Sequence, residues 1–482
     1  MKNIGKKLSA AVLSFLLLAV LFAGVSCGDE STPASDTTAD ASVSVPEEDV
    51  TTDYYDALDK SLDFGGYEFN VISYKSETWD IYIAPESENG EVLNDSAFRR
   101  NLEVEDLLNI KIKTTIGDDY EKKFQNMVLS GADDFDLICF WSPGERSGYV
   151  SQHLAFDWKQ LPYVNLESEW YNQTANAAYS IGGRQYFAVS DFTYTVQQHF
   201  RIVSNKDLIK DIGKEQPYQD VFDGTWTFDK MLWYCAGVYS DLDGDQQAGL
   251  GDRYGLVLNA AFSAAFPFNA GEIQVTNSDD GFVVNLYSDR IANIVESIVA
   301  LRANTDVYFN KKQNNDQYKI FDDGNALFKP YGSDPALLRL HEFDIGYLPY
   351  PKYDDSQPDY VVWSAGGMMA VPQSVSDIDR TGAIIEALSA ASNKYVKDAF
   401  VEQYVENKIL RDEESTQIYR MMRDKATYDL SYNLDPSGKL SGYAYYSYFM
   451  TKNNADAASY YASIKEKVET GYAQLFEEAT GE

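Results

Sequence analysis

Cysteine and histidine are the scarcest chemical resources of this chain, with three of each in 482 residues. His153, His199 and His341 lie far apart and share no metal-ligand spacing. No H-E-x-x-H, no G-x-S-x-G and no phosphate loop occurs, so zinc hydrolysis, elbow-type serine catalysis and nucleotide chemistry lack their usual carriers. Basic residues are also short: 40 Lys and Arg stand against 75 Asp and Glu, a formal net charge of −35. That balance excludes nucleic acid as a partner, which demands basic patches. It also excludes adhesion to anionic lipid through protein charge. Paired carboxylates can run glycoside hydrolysis, but with 75 acids some pair always looks suitable, so that pattern discriminates little.

The N-terminus is built differently from the rest. Lys2, Lys6 and Lys7 precede an uncharged apolar run from about Leu8 to Ala23, then Gly24, Val25, Ser26 and Cys27. This is the layout of a secretory signal over residues 1–26, and the run is short for a membrane span. Cys27 after small residues resembles the lipobox of bacterial lipoproteins, although Gly24 stands where Leu is usual. The resemblance implies acylation at Cys27 and a lipid-anchored protein on the outer face of the cell membrane. Residues 27–53 are mostly Ser, Thr, Ala, Asp, Glu and Pro, with no aromatic residue before the body. Such a segment cannot bury enough apolar surface to order itself, and reads as a tether. Loss of the signal removes three lysines and no acid, so the mature chain is more acidic still, which favours a soluble monomer.

The body, over 400 residues long, predicts more than one core. YEFNVISY reads as a strand with Phe69 and Val71 on one side. NDSAFRRNLEVEDLL reads as a helix capped by Asn94 or Asp95, IKIKTTI as a half-buried strand, YEKKFQNMVLSG as a helix ended by Gly131, and FDLICF as a buried strand. Strand and helix alternating in this way predict a parallel sheet with right-handed crossovers. Ligands in such sheets bind beyond the carboxyl ends of the strands, which directs attention to Trp141 and Glu145, just after FDLICF. Cys139 and Cys235 sit in apolar runs and read as small buried hydrophobes.

Further along, the order of segments carries a resemblance. RQYFAVSDFTYTVQQHFRIVSNKDLIK holds Tyr186 to Val189 and Ser204 to Leu208, and GTWTFDKMLWYC spans Gly224 to Cys235. GNALFKPYGSD, GYLPYPK and VVWSAGGMMAVPQSV follow, then a helix from about Ser376 with Ile378, Ile384, Ile385 and Leu388, then RDEESTQIYRMM and YDLSYNL. In this order the segments resemble the extracellular solute-binding proteins, family 1, that serve carbohydrate ABC importers. The resemblance implies a two-lobe α/β periplasmic-binding-protein-like fold of type II, with sheets flanked by helices and a hinge between the lobes. It places lobe 1 at 54–195 and 346–405 and lobe 2 at 196–345 and 406–482. It implies capture of an oligosaccharide in an interlobe cleft and docking on permease subunits, with no cofactor and no covalent chemistry. A secreted glycoside hydrolase and a glycan-binding surface protein without transport are the alternatives.

Sugars present C–H patches between hydroxyls, and aromatic faces beside carboxylates suit them. The candidate ligand residues are therefore Trp79, Trp141, Tyr194, Tyr331 and Trp363, with Glu145 and Asp191 as polar partners; Trp226 and Trp233 are assigned to packing. A separate motif is Asp241, Asp243, Asp245 and Asp252, which matches positions 1, 3, 5 and 12 of a calcium loop. Gln246 replaces the usual Gly and Asp252 the usual Glu, so a structural calcium site and a solvated acidic turn both remain open.

Overall fold

The alternation in YEFNVIS becomes the strand Tyr67–Ser73, where Phe69 and Val71 have no exposed surface. A computed structural model describes residues 53–75, 82–140, 144–312, 314–332, 338 and 341–481. The expectations for Cys27, Trp79 and Trp141 fall outside these residues.

Tyr67–Ser73 is flanked in parallel by Ile110–Ile116, with Phe69 opposite Ile112, and by Leu137–Cys139. The crossovers are the helices Val92–Leu108 and Tyr120–Ser130. The second ends at Gly131, whose φ of 70° is the left-handed conformation that a helix terminus of this kind requires. The first begins earlier than the sequence suggests, at Val92 after Glu91. Asp95 does not cap the helix from Ncap; it lies in the first turn, where its carboxylate accepts from the backbone N–H groups of Asn89 and Gly90. Met368–Ala370 and Ala188–Val189 complete this five-stranded sheet in antiparallel fashion.

A second five-stranded sheet has the same plan. Tyr254–Asn259 lies between the parallel strands Val307–Asn310 and Ala326–Tyr331, and the antiparallel strands Arg201–Asn205 and Ile345–Pro349 extend it. All five residues of Ile345–Pro349 pair with Arg201–Asn205. The lobe boundary expected between residues 345 and 346 therefore falls inside a strand, and the chain leaves this sheet only after Pro349.

Between the two sheets runs a small three-stranded one. Val362–Ala365 pairs parallel with Ala426–Thr427 and antiparallel with Gln198–His199. These strands belong to three passages of the chain between the larger sheets, so the passages are hydrogen-bonded to each other. His199 is half-buried here with Nδ1 2.7 Å from Ser364 Oγ, and loss of hydration pulls its pKa down to about 3, so the imidazole is neutral. The C-terminal helix Ala457–Thr480 is likewise shared. Near its start Tyr460 stacks at 3.7 Å on Tyr448 of the helix Ala444–Lys452, whose Met450 carbonyl accepts from Arg302, while Tyr186 and Arg184 of the first lobe donate to the carbonyls of Ala479 and Thr480. Residues 406–482 are thus not confined to the second lobe.

Cys139 and Cys235 are free and buried, as their apolar contexts predict. Trp226 is fully buried and packs as expected, but Trp233 is 55 % exposed. Lys214 and Lys230 hold their ammonium groups 4.4 and 5.1 Å from its ring.

Candidate functional site

The parallel strands of the first sheet end at a cavity. Ser73 and Tyr74 close one strand, Cys139 and Phe140 close the next, and the short helical turn Asp191–Val196 contributes Phe192, Thr193, Thr195 and Val196. Tyr82 and Ile83 form the rest of the described wall; the enclosed space is about 30 Å³, and with the open solvent at its mouth about 410 Å³. Among the described residues the wall mixes aromatic rings with hydroxyl groups and carries no charge. That composition suits a ligand with hydroxyls and apolar C–H faces. Burial pushes the Cys139 thiol up to about 12, so it lines the cavity as an uncharged group.

Two side chains from one helix turn hold the wall in place. Arg100 donates from Nη2 to the carbonyls of Tyr82 (2.7 Å) and Ile83 (2.8 Å), and Asn101 donates to the Ile83 carbonyl at 2.8 Å. Thr193 Oγ1 donates to the Gly367 carbonyl at 2.6 Å and so ties the helical turn to the strand pair on the far side.

Of the sequence-derived residues that the structure describes, none lines this cavity. In sequence Trp141 follows Phe140, and Trp79 stands between Tyr74 and Tyr82. Asp191 and Tyr194 belong to the helical turn but face its other side. Asp191 is 5 % exposed, accepts from Asn393 Nδ2 at 2.8 Å and pairs with Lys397 at 3.2 Å. Burial lifts its pKa to about 6 against the pull of Lys397. Tyr194 lies edge-on to Phe400 at 5.7 Å with Arg423 over its ring. Glu145 accepts from the backbone and hydroxyl of Ser147 and from the backbone N–H of Asp435, so its carboxylate fastens a chain passage.

Trp363 is not a sugar platform. Phe200 and Phe268 cover its two faces, each with ring centroids 4.1 Å away and planes within 15°, and Tyr432 closes an edge at 5.0 Å. Tyr331 is in the second lobe, buried beneath Arg201 at 4.9 Å and Lys329 at 5.4 Å.

In the acidic loop, Asp241, Asp243 and Asp252 each bring a carboxylate oxygen within 4.8 Å of the others. Asp245 stays outside this group, with its carboxylate accepting from the backbone N–H of Gln247. Gln246 adopts φ 60°, the conformation for which Gly is usual. Asp252 is fully buried and already accepts from the backbone of Leu242 and Gly249.

Solved structures of similar shape place this architecture. The chain has the fold of a two-lobe sugar-binding protein. The GacH receptor of Streptomyces glaucescens, solved unliganded and with acarbose, matches with a TM-score of 0.56 at 13 % identity, over 84 % of this chain and 99 % of that one. A cyclo/maltodextrin-binding protein with maltotetraose gives 0.56 at 14 % identity, over 86 % and 97 %. The cyclic alpha-maltosyl-1,6-maltose binding protein of Arthrobacter globiformis gives 0.54 at 14 %, over 87 % and 100 %. No family model matches the sequence, and no curated protein matches it.

Proposed function

We propose that this protein captures an oligosaccharide or other sugar for an ABC importer, without covalent chemistry. The observation that carries this reading is the cavity at the carboxyl ends of the first sheet, whose described residues are aromatic and hydroxyl-bearing without charge, in a fold of two sheets joined by three passages. The structures it resembles are binding proteins for acarbose, maltotetraose and a cyclic maltosyl-maltose. Ligand entering between the lobes is buried by their closure about the small sheet, and the closed form docks on permease subunits. Acylated Cys27 tethers the protein to the outer face of the membrane. In the acidic loop the trio Asp241, Asp243 and Asp252 fits a hard cation such as calcium in a structural role: oxygen ligands converge, and each carboxylate oxygen keeps a second lone pair beyond its backbone bond.

Thermal shift against a glycan panel, followed by calorimetric titration, tests the capture. A sugar should raise the melting temperature in proportion to its concentration over Kd and be recovered unchanged. Cleavage of the sugar would instead establish the hydrolase. For the anchor, Cys27→Ala should release the protein into the medium; retention in the membrane fraction would remove the lipid from the account.

A further inference from the structure

We infer that the groove between the C-terminal helix and the hairpin over 275–284 is a docking surface for a partner protein, and that it seats an arginine-bearing segment of that partner. The inference does not depend on sugar capture.

Helical spacing builds one side of the groove. In Ala457–Thr480, residues 469, 473 and 477 recur at every fourth position and 472 and 476 form the neighbouring row, so all five share one face. Glu469 and Glu477 stand about 12 Å apart along the axis, and the short side chain of Ala473 leaves the space between them open. Tyr472 and Phe476 make the floor. The other side is the hairpin of Val275–Ser278 and Gly281–Val284, with Asp280 in its turn. Its Phe282 stands edge-on to Tyr472 at 5.2 Å and to Phe476 at 6.0 Å. The groove holds about 570 Å³.

Both walls are fastened to the first lobe. Asn277 Nδ2 donates to the carbonyls of Ala177 and Ser180 at 2.6 and 2.7 Å, and Tyr186 and Arg184 hold the last residues of the helix. Tyr472 spends its hydroxyl on the Leu434 carbonyl at 2.7 Å, so its contribution to the floor is ring rather than hydroxyl.

This chemistry selects a cation carried beside apolar groups. Three exposed carboxylates rim an aromatic floor. Glu477 lies in the last turn of its helix, where the macrodipole adds negative potential. A guanidinium suits both parts, since its fork pairs with carboxylates and its flat face stacks on rings. Lys465, one turn away, pairs with Glu469 at 3.7 Å while both side chains are half exposed, and an incoming guanidinium displaces such a pair at little cost. The chain itself does not supply the occupant. Residues 27–53 carry acids and no Lys or Arg, and a second copy brings its own net charge of −35. That same charge draws a cationic segment of another protein toward the groove.

The test is calorimetric titration of the protein with a capped Leu-Arg-Leu tripeptide and with its citrulline counterpart, which keeps the shape of the side chain and lacks the charge. The arginine peptide should bind about tenfold tighter, and added salt should erode the difference. In the double variant Glu469→Gln with Glu477→Gln the preference should shrink to near unity. Both positions are exposed, so the variant folds. Two charges among 75 acids change the overall field little, so that loss locates the peptide in the groove. Equal affinity for the two peptides, a preference that survives the double variant, or no binding of either overturns the inference. Sugar capture stands whichever result is found.

Discussion

The two large sheets share a plan, yet their parallel strands end differently. In the first, Ser73, Cys139 and the residues after them open on a cavity. In the second, the strand ends Asn259 and Asn310 are occupied by amides: Asn310 Nδ2 donates to Asn314 Oδ1 at 2.7 Å and to Gln317 Oε1 at 2.8 Å, and Asn259 reaches Asn315 at 3.5 Å. The third strand end, Tyr331, is covered by Arg201 and Lys329. The first sheet's strand ends leave space beside them even though Ser73 Oγ donates to the Cys139 carbonyl at 3.3 Å, whereas the second's are filled by amides and cations. The first lobe supplies space for a ligand, and the second supplies a wall already set.

The largest effect expected on this contrast comes from its aromatic seam. Trp363→Ala should destabilise the protein by about 3 to 5 kcal/mol in denaturant unfolding, because two phenylalanines lose their partner at once. A variant that unfolds normally yet loses sugar affinity would return Trp363 to the ligand.

Next is a pH dependence inside the first lobe. Burial raises Glu386 to about 7, although Tyr171 and Trp170 donate to it at 2.8 and 3.1 Å. A folded pKa above the unfolded value means that the native state holds the proton more tightly. Stability should therefore fall as pH rises from about 4.5 to 7, by at most about 3 kcal/mol. Glu386→Gln should flatten that part of the stability–pH curve, and an unchanged slope would assign it to other groups.

At the cavity itself, Tyr82→Ala should weaken sugar binding about fivefold to hundredfold, equivalent to roughly 1 to 3 kcal/mol, with little change in melting temperature. Equal losses of affinity and stability would make Tyr82 a packing residue. The smallest effect is at the acidic loop. Chelator should lower the melting temperature by a few degrees and calcium restore it, whereas Asp245→Ala should leave that response intact. A melting curve indifferent to chelator would leave only a solvated turn.

Much of the fold was legible because period-two and helical patterns are local. Tyr67–Ser73, Ile110–Ile116 and the helix ending at Gly131 stand where the pattern puts them. Trp363 was misread because its cover, Phe200 and Phe268, comes from distant parts of the chain. The helical turn at Asp191 shows a finer limit. The backbone kinks at Thr193 (φ −106°), so no single helical face runs through 191–196. Sequence reasoning points to Asp191 and Tyr194, and the structure puts Phe192, Thr193, Thr195 and Val196 at the cavity. Nothing in a single sequence says which face of so short a turn looks inward. Asp245 is similar, since spacing cannot say that its carboxylate folds back onto Gln247.

The C-terminal helix has a mechanical consequence. Its first turns stack on the helix Ala444–Lys452 through Tyr460 and Tyr448, while its last turn is bonded to Tyr186 and Arg184. At Gly182 the fit is so close that a methyl group would strike the Thr480 side chain. The helix is therefore a splint laid across a joint. Any swing that pulls its two seats apart must first break the bonds at Ala479 and Thr480, so the lobes are steered toward motions that turn about the splint rather than against it. Trimming the final few residues would loosen the joint without touching a single strand of either sheet.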